Sequence, residues 1–276
     1  MVEAVLRANG VYSLRLTAGT STWQARLTGG EWASATQRHD GRVVVRASCD
    51  VAVEHARFLL ALDDDTTEFH RRFADDPLLG PAARALVGWR PTRVATVAHA
   101  AVRAICGQLI ESRRARSIER AVARACGEEV VTQETLRRLP PARLCACDLS
   151  PARATTLIRL ARTLDLERLR GHPTPAVAAR LSRERGIGQW SIGVIALEGL
   201  GRYDAGLTGD LGLVKLLTAL RGRRAEGWET AELLAPYGEW QGLASELLLL
   251  GWARGLIRGA DPDVARRTRL RARRAA

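Results

Sequence analysis

Among the carboxylates of the chain, Asp210 lies 22 residues after the second glycine of Gly186-Ile187-Gly188-Gln189. A carboxylate held in place stabilises positive charge that develops in a transition state more than it stabilises the ground state. The same group can orient or deprotonate an attacking water. Thr208 and Gly209 precede Asp210, and the apolar run Leu211-Gly212-Leu213-Val214 follows it, which places the carboxylate at a helix start. There the helix dipole and unpaired N–H groups favour its charged form. An N-cap with no chemistry is the competing role, since aspartate is common at that position.

The glycine turn needs a helix on each side. His172-Pro173-Thr174-Pro175 reads as the start of the first, with Thr174 as cap and Pro175 in the first turn. Val177, Ala178 and Leu181 then recur at helical spacing. Gly186 and Gly188 are expected to end that helix, because glycine takes left-handed angles without a Cβ clash. Trp190, Ile192, Val194, Ile195 and Leu197 begin the second helix. Backbone N–H groups of Gly186, Ile187, Gly188 and Gln189 would then face outward at a helix N-terminus, a setting that binds phosphate without a basic side chain. An ordinary turn between packed helices satisfies the same Gly-x-Gly pattern.

Hairpin and carboxylate together resemble the signature of the helix–hairpin–helix DNA glycosylase superfamily, and within it the 3-methyladenine DNA glycosylase II family. The likeness runs from about Asp75 to Trp252 in five ordered blocks. These are Asp75-Asp76-Pro77-Leu78-Leu79-Gly80, Ala101 to Ile110, Gly186 to Trp190, Gly209-Asp210-Leu211-Gly212, and Glu239-Trp240 through Ser245 to Trp252. The resemblance implies a small N-terminal antiparallel β-sheet lobe packed on a mostly α-helical body, an α+β fold. It implies double-stranded DNA with damaged bases as partner, Asp210 as the catalytic carboxylate facing the sugar, and alkylated purines as the bases released.

It also assigns further residues. Leu109, beside Gln108 at a helix end, matches the wedge that fills the gap left by an extruded nucleotide, although a buried leucine fits the sequence as well. Trp190 and Trp252 match positions whose ring faces attract a cationic base, with core packing as the alternative. Relatives that also nick the strand carry a Schiff-base lysine where Trp190 stands. Lys215 is the only lysine, five positions and about 140° round a helix from Asp210, and guanidinium cannot serve instead. A monofunctional enzyme is expected. Three departures stand out: Glu184-Arg185 replaces the usual leucine-proline before the hairpin, and Val194 and Leu211 replace tyrosines.

The rest of the composition agrees. With 276 residues, 46% of them hydrophobic, the chain can bury a sizeable core. Its net charge of +12 attracts polyanions, anionic membranes included. No stretch approaches the roughly 20 apolar residues of a membrane span, and no signal pattern opens the chain, so a cytoplasmic, nucleoid-associated monomer is expected. Cys49, Cys106, Cys126, Cys145 and Cys147 are scattered without metal-ligand spacing, and no metal or cofactor is expected. Up to about residue 60 the pattern is β-rich, with strands expected at Val11–Leu16, Trp23–Leu27 and Val43–Arg46 around turns at Gly29-Gly30 and Asp40-Gly41. Residues 61–260 read as the helical body, with helices at Thr92–Ile110, Arg114–Ala125, Ser150–Leu164 and Trp240–Ile257. Residues 261–276, with Arg266 to Arg274, read as a basic tail.

Overall fold

The computed structural model describes residues 1–127 and 129–262. The expected basic tail therefore lies almost wholly outside the described residues. Four antiparallel strands, β1 (Val2–Leu6), β2 (Thr22–Arg26), β3 (Trp32–Gln37) and β4 (Val43–Ala47), pair in the order β1-β4-β3-β2. Ala35 stands opposite Val45 and Ala4 opposite the same valine from the other side. Alternation of side chains across the pleat turns Ala33, Ala35, Val43, Val45 and Ala47 to one buried face.

Between β1 and β2 the short helix α1 (Leu14–Ala18) replaces the expected Val11–Leu16 strand. Local caps override the alternating pattern: the Leu16 N–H donates to Ser13 Oγ at 3.2 Å, and Gly19 closes the turn at φ 78°. The strand missing from the expectation is β1. Helix α2 (Asp50–Leu59) covers the sheet with Ala52, Val53, Ala56 and Leu59, and one buried cluster runs from Tyr12 to Leu62.

The rest is helical: α3 (Thr67–Arg72), α4 (Gly80–Ala85), α5 (Val97–Gly107), α6 (Ser112–Ala125), α7 (Gln133–Arg138), α8 (Pro141–Cys145) and α9 (Pro151–Thr163). They are followed by α10 (Thr174–Leu181), α11 (Gln189–Val194), α12 (Leu211–Arg221), α13 (Glu229–Leu234) and α14 (Gln241–Ala253). A second buried cluster spans Phe69 to Ile257. Helix α5 is its axle, with eight buried residues from Val97 to Cys106. Thr96 caps it through the His99 N–H at 2.9 Å, which moves its start later than expected. Helix α11 runs on as a π-helix over Ile195–Leu200, and Gly199 lets it approach α5, where a Cβ would come 2.6 Å from Ala100 Cβ. Among the described residues no helix is long and apolar enough to cross a membrane.

Candidate active site

Helices α10 and α11 form the hairpin. Pro173, not Thr174, sits at the cap of α10; Thr174 is buried and makes no cap bond. Only Gly186 adopts the left-handed region, at φ 91°. Gly188 is extended at φ −104°, ψ 180°, so its backbone angles do not require glycine. Its bare face is open, because a Cβ there would meet nothing within 4 Å. Ile187 anchors the turn as a buried residue, while Gly188 and Gln189 are exposed.

The unusual Glu184-Arg185 pair is built into the support of this turn. Glu184 takes Arg159 Nε at 3.2 Å and Arg180 Nη1 at 2.8 Å. The Arg185 carbonyl accepts from Arg159 Nη2 at 2.6 Å and Thr156 Oγ1 at 3.2 Å. Helix α9 thus braces the entry to the hairpin through Thr156 and Arg159.

Asp210 caps α12. Its Oδ1 accepts from the Gly212 N–H at 2.7 Å and the Leu213 N–H at 3.2 Å, and its Oδ2 accepts from Trp190 Nε1 at 2.9 Å. A carboxylate has about four acceptor sites, and Asp210 is neither exposed nor buried. Room remains on it for a reacting group. Trp190 reaches it from the first turn of α11, and its ring lies over Gly107 at the end of α5, where a Cβ would come 2.6 Å from Trp190 Cη2.

Past Gly107 the chain turns sharply. Gln108 Nε2 donates to the Gly186 carbonyl at 2.8 Å and to Ser191 Oγ at 3.0 Å. Leu109 follows in the left-handed region at φ 53° with 79% of its surface exposed. That conformation is costly for leucine, and the side chain stands in solvent instead of the core. Hairpin, carboxylate, Trp190 and Gln108 are therefore joined through direct contacts, with Leu109 next in the chain. Trp252 lies apart from those bonds: it is buried, and its Nε1 donates to the Asp261 carbonyl.

Three contributors had no local signal in the sequence, namely Thr156, Arg159 and Thr230. The last accepts the Gly209 N–H on Oγ1 at 2.7 Å and so fastens the turn that carries Asp210. Lys215 is exposed on α12. Among the described residues no three His, Cys, Asp or Glu side chains gather as metal ligands would. Burial pushes the Cys106 thiol up to about 12, as expected of a core cysteine.

No family profile matches the sequence, and no curated protein matches it significantly. Solved structures do. The 3-methyladenine DNA glycosylase of Archaeoglobus fulgidus superposes with a TM-score of 0.76 at 18% identity, covering 92% of this chain and 99% of that one. The 8-oxoguanine glycosylase/lyase of Clostridium acetobutylicum gives 0.69 at 16% identity over 90% and 95%. The Schizosaccharomyces pombe 3-methyladenine DNA glycosylase bound to abasic DNA gives 0.52 at 17% identity over 73% and 97%. At these identities the likeness is one of architecture, and the chain has the fold of the helix–hairpin–helix DNA glycosylases.

Proposed function

We propose that this chain is a monofunctional DNA glycosylase that extrudes damaged bases, alkylated purines foremost, from double-stranded DNA and hydrolyses their N-glycosyl bond. The observation that carries the reading is Asp210, braced by two backbone N–H groups and by Trp190 Nε1 yet not buried. Breaking the bond between base and deoxyribose builds positive charge on the sugar, and a braced carboxylate is oriented for that charge before the reaction begins. The open face of Gly188 suits a phosphate oxygen at the start of α11. Leu109, held outward at the end of α5, suits the gap that an extruded nucleotide leaves. The indole of Trp190 beside the carboxylate offers an electron-rich face to a cationic base.

Hydrolysis without strand cleavage follows from which amines are present. A lyase needs an amine at the sugar; the family resemblance puts that amine at the position Trp190 occupies, and Lys215 is exposed further along α12. The glycosylase/lyase among the similar structures favours the other outcome, so the test includes it. Methylated genomic DNA is incubated with the protein and the liberated bases are separated by chromatography. Release of methylated purines is expected, reduced at least about 100-fold by Asp210→Asn, with binding to abasic duplex retained. A borohydride-trapped adduct through Lys215 would replace the monofunctional reading. No liberated base from the wild-type protein would leave only a DNA-binding role.

A further inference from the structure

Large apolar side chains are exposed at eight of the described positions, and five of these, Met1, Val5, Val11, Val51 and Val87, lie in the first 90 residues. The other three, Leu109, Leu211 and Trp228, lie on segments tied by contacts to the turn that carries Asp210. Leu211 directly follows Asp210, and Leu109 lies two residues past the glycine under the Trp190 ring. Trp228 comes from a different part of the chain, and its exposure of 63% is the larger anomaly because an indole left in water forgoes more burial than any other side chain.

The turn that carries it is fastened to the turn that carries Asp210. A Cβ on Gly227 would lie 3.8 Å from Gly209 Cα. The Gly209 N–H donates to Thr230 Oγ1 at 2.7 Å, and the Thr230 hydroxyl donates to the Gly227 carbonyl at 2.6 Å. Behind the turn, the buried Glu229 carboxylate takes Arg221, Arg223 at 2.6 Å and the Glu226 N–H at 2.6 Å. The indole is thus an exposed ring on a turn tied down from two sides. Over Gly209 the space is open, since a Cβ there would meet nothing within 4 Å.

We infer that Trp228 is the outer wall of the base pocket, its ring stacking on the extruded base while Asp210 faces the sugar. The inference rests on the glycosylase reading. An extruded base is the occupant that fits: it is planar, it must come to Asp210, and it arrives on a polyanion drawn to a chain of charge +12. Arg224, its side chain 89% exposed on the same turn and 3.9 Å from the Glu226 carboxylate, adds positive charge beside the ring. An exposed aromatic set among arginines is the arrangement that holds single nucleotides by stacking.

The test uses two duplexes that differ at one nucleotide. One carries 7-methylguanine on a 2′-fluorinated sugar that resists hydrolysis; the other carries a tetrahydrofuran abasic analogue with no base to stack. Trp228→Ala is expected to weaken binding to the first about tenfold and to leave the second within about twofold, with Trp228→Phe recovering most of the loss. Retained binding to the abasic duplex also shows that the variant is folded. Equal losses on both duplexes would place the ring on the backbone, and no loss on either would leave it without a DNA role; each overturns the inference. A wild-type protein that frees no base from methylated DNA sinks the glycosylase reading and this inference together. A wild type that frees bases beside a Trp228→Ala variant that keeps its preference for the base-bearing duplex sinks only the latter.

Discussion

Trp190 is the residue on which the site's geometry turns, because its indole N–H holds Asp210 Oδ2 while its ring seals against Gly107. Trp190→Phe keeps an aromatic ring but removes the N–H donor together with the fused second ring that reaches Gly107. A hydrogen bond to a charged acceptor contributes about 2 kcal/mol, so a carboxylate that loses it should catalyse about 30-fold more slowly. Single-turnover base release is expected to fall by that factor with little change in DNA affinity. The effect should vanish in an Asp210→Asn background, where the partner is already altered; equal losses in both backgrounds would show that Trp190 acts on the base instead. At this scale the sequence displayed Asp210 and the hairpin because their spacing is local. The bond between Trp190 and Asp210 was hidden, since it spans a helix, a π-turn and a loop. So was the role of Gly107, which depends on a ring 83 residues away.

Among the elements, the legible ones announce themselves by caps. Ser150 opens α9 by accepting the Arg153 N–H at 3.4 Å, as its Ser-Pro start suggests. The Val11–Leu16 pattern suggests a strand but forms a helix, because alternation over six residues also describes an extended entry to a one-turn helix. What fixes α5 against α6, and with them the turn of Leu109, is a buried charge cluster that no motif betrays. Glu119 on α6 accepts from His99 Nε2 at 3.1 Å, Arg103 Nε at 2.9 Å and Arg116 Nη1 at 2.9 Å. The Val131 N–H donates to His99 Nδ1 at 3.3 Å, so the ring proton sits on Nε2 and points at Glu119. Burial pushes the Glu119 carboxyl upward, but the His99 bond and the two arginines outweigh it and hold it far below its ordinary 4.5. A depressed carboxylate contributes stability that is present above pH 4.5 and is lost as pH falls towards the folded-state value. Urea melts of the wild type and Glu119→Gln should therefore differ by about 2 kcal/mol at pH 7 and converge as the pH drops below 4.5. A gap that stayed constant down to pH 3 would mean the carboxylate's charge adds nothing.

Across the whole molecule, the β-rich cluster and the helical cluster meet at a charged joint. Arg93 pairs with Asp64 and also donates to the Phe58 carbonyl at 3.3 Å and the Gly201 carbonyl at 3.1 Å. The Tyr203 hydroxyl donates to the same Asp64, and burial together with that carboxylate raises the phenol well above its ordinary range, so it stays a donor. Phe58 of α2 is covered by the guanidinium groups of Arg93 at 4.8 Å and Arg170 at 4.4 Å. Arg90, wholly buried, reaches the Asn9, Val11 and Ala61 carbonyls. Composition gave the two textures of the chain but not this joint, because arginine in an arginine-rich sequence reads as surface. Removing one partner of a buried pair leaves the other charge uncompensated, which costs about 3 kcal/mol. Arg93→Met should lower the unfolding free energy by that amount in a urea titration followed by tryptophan fluorescence and far-ultraviolet circular dichroism. Because the cost lies in the stranded carboxylate, adding Asp64→Asn should return part of it, making the double variant more stable than Arg93→Met alone. A double variant less stable than either single one would mean that the two residues act separately and that apolar packing alone joins the lobes.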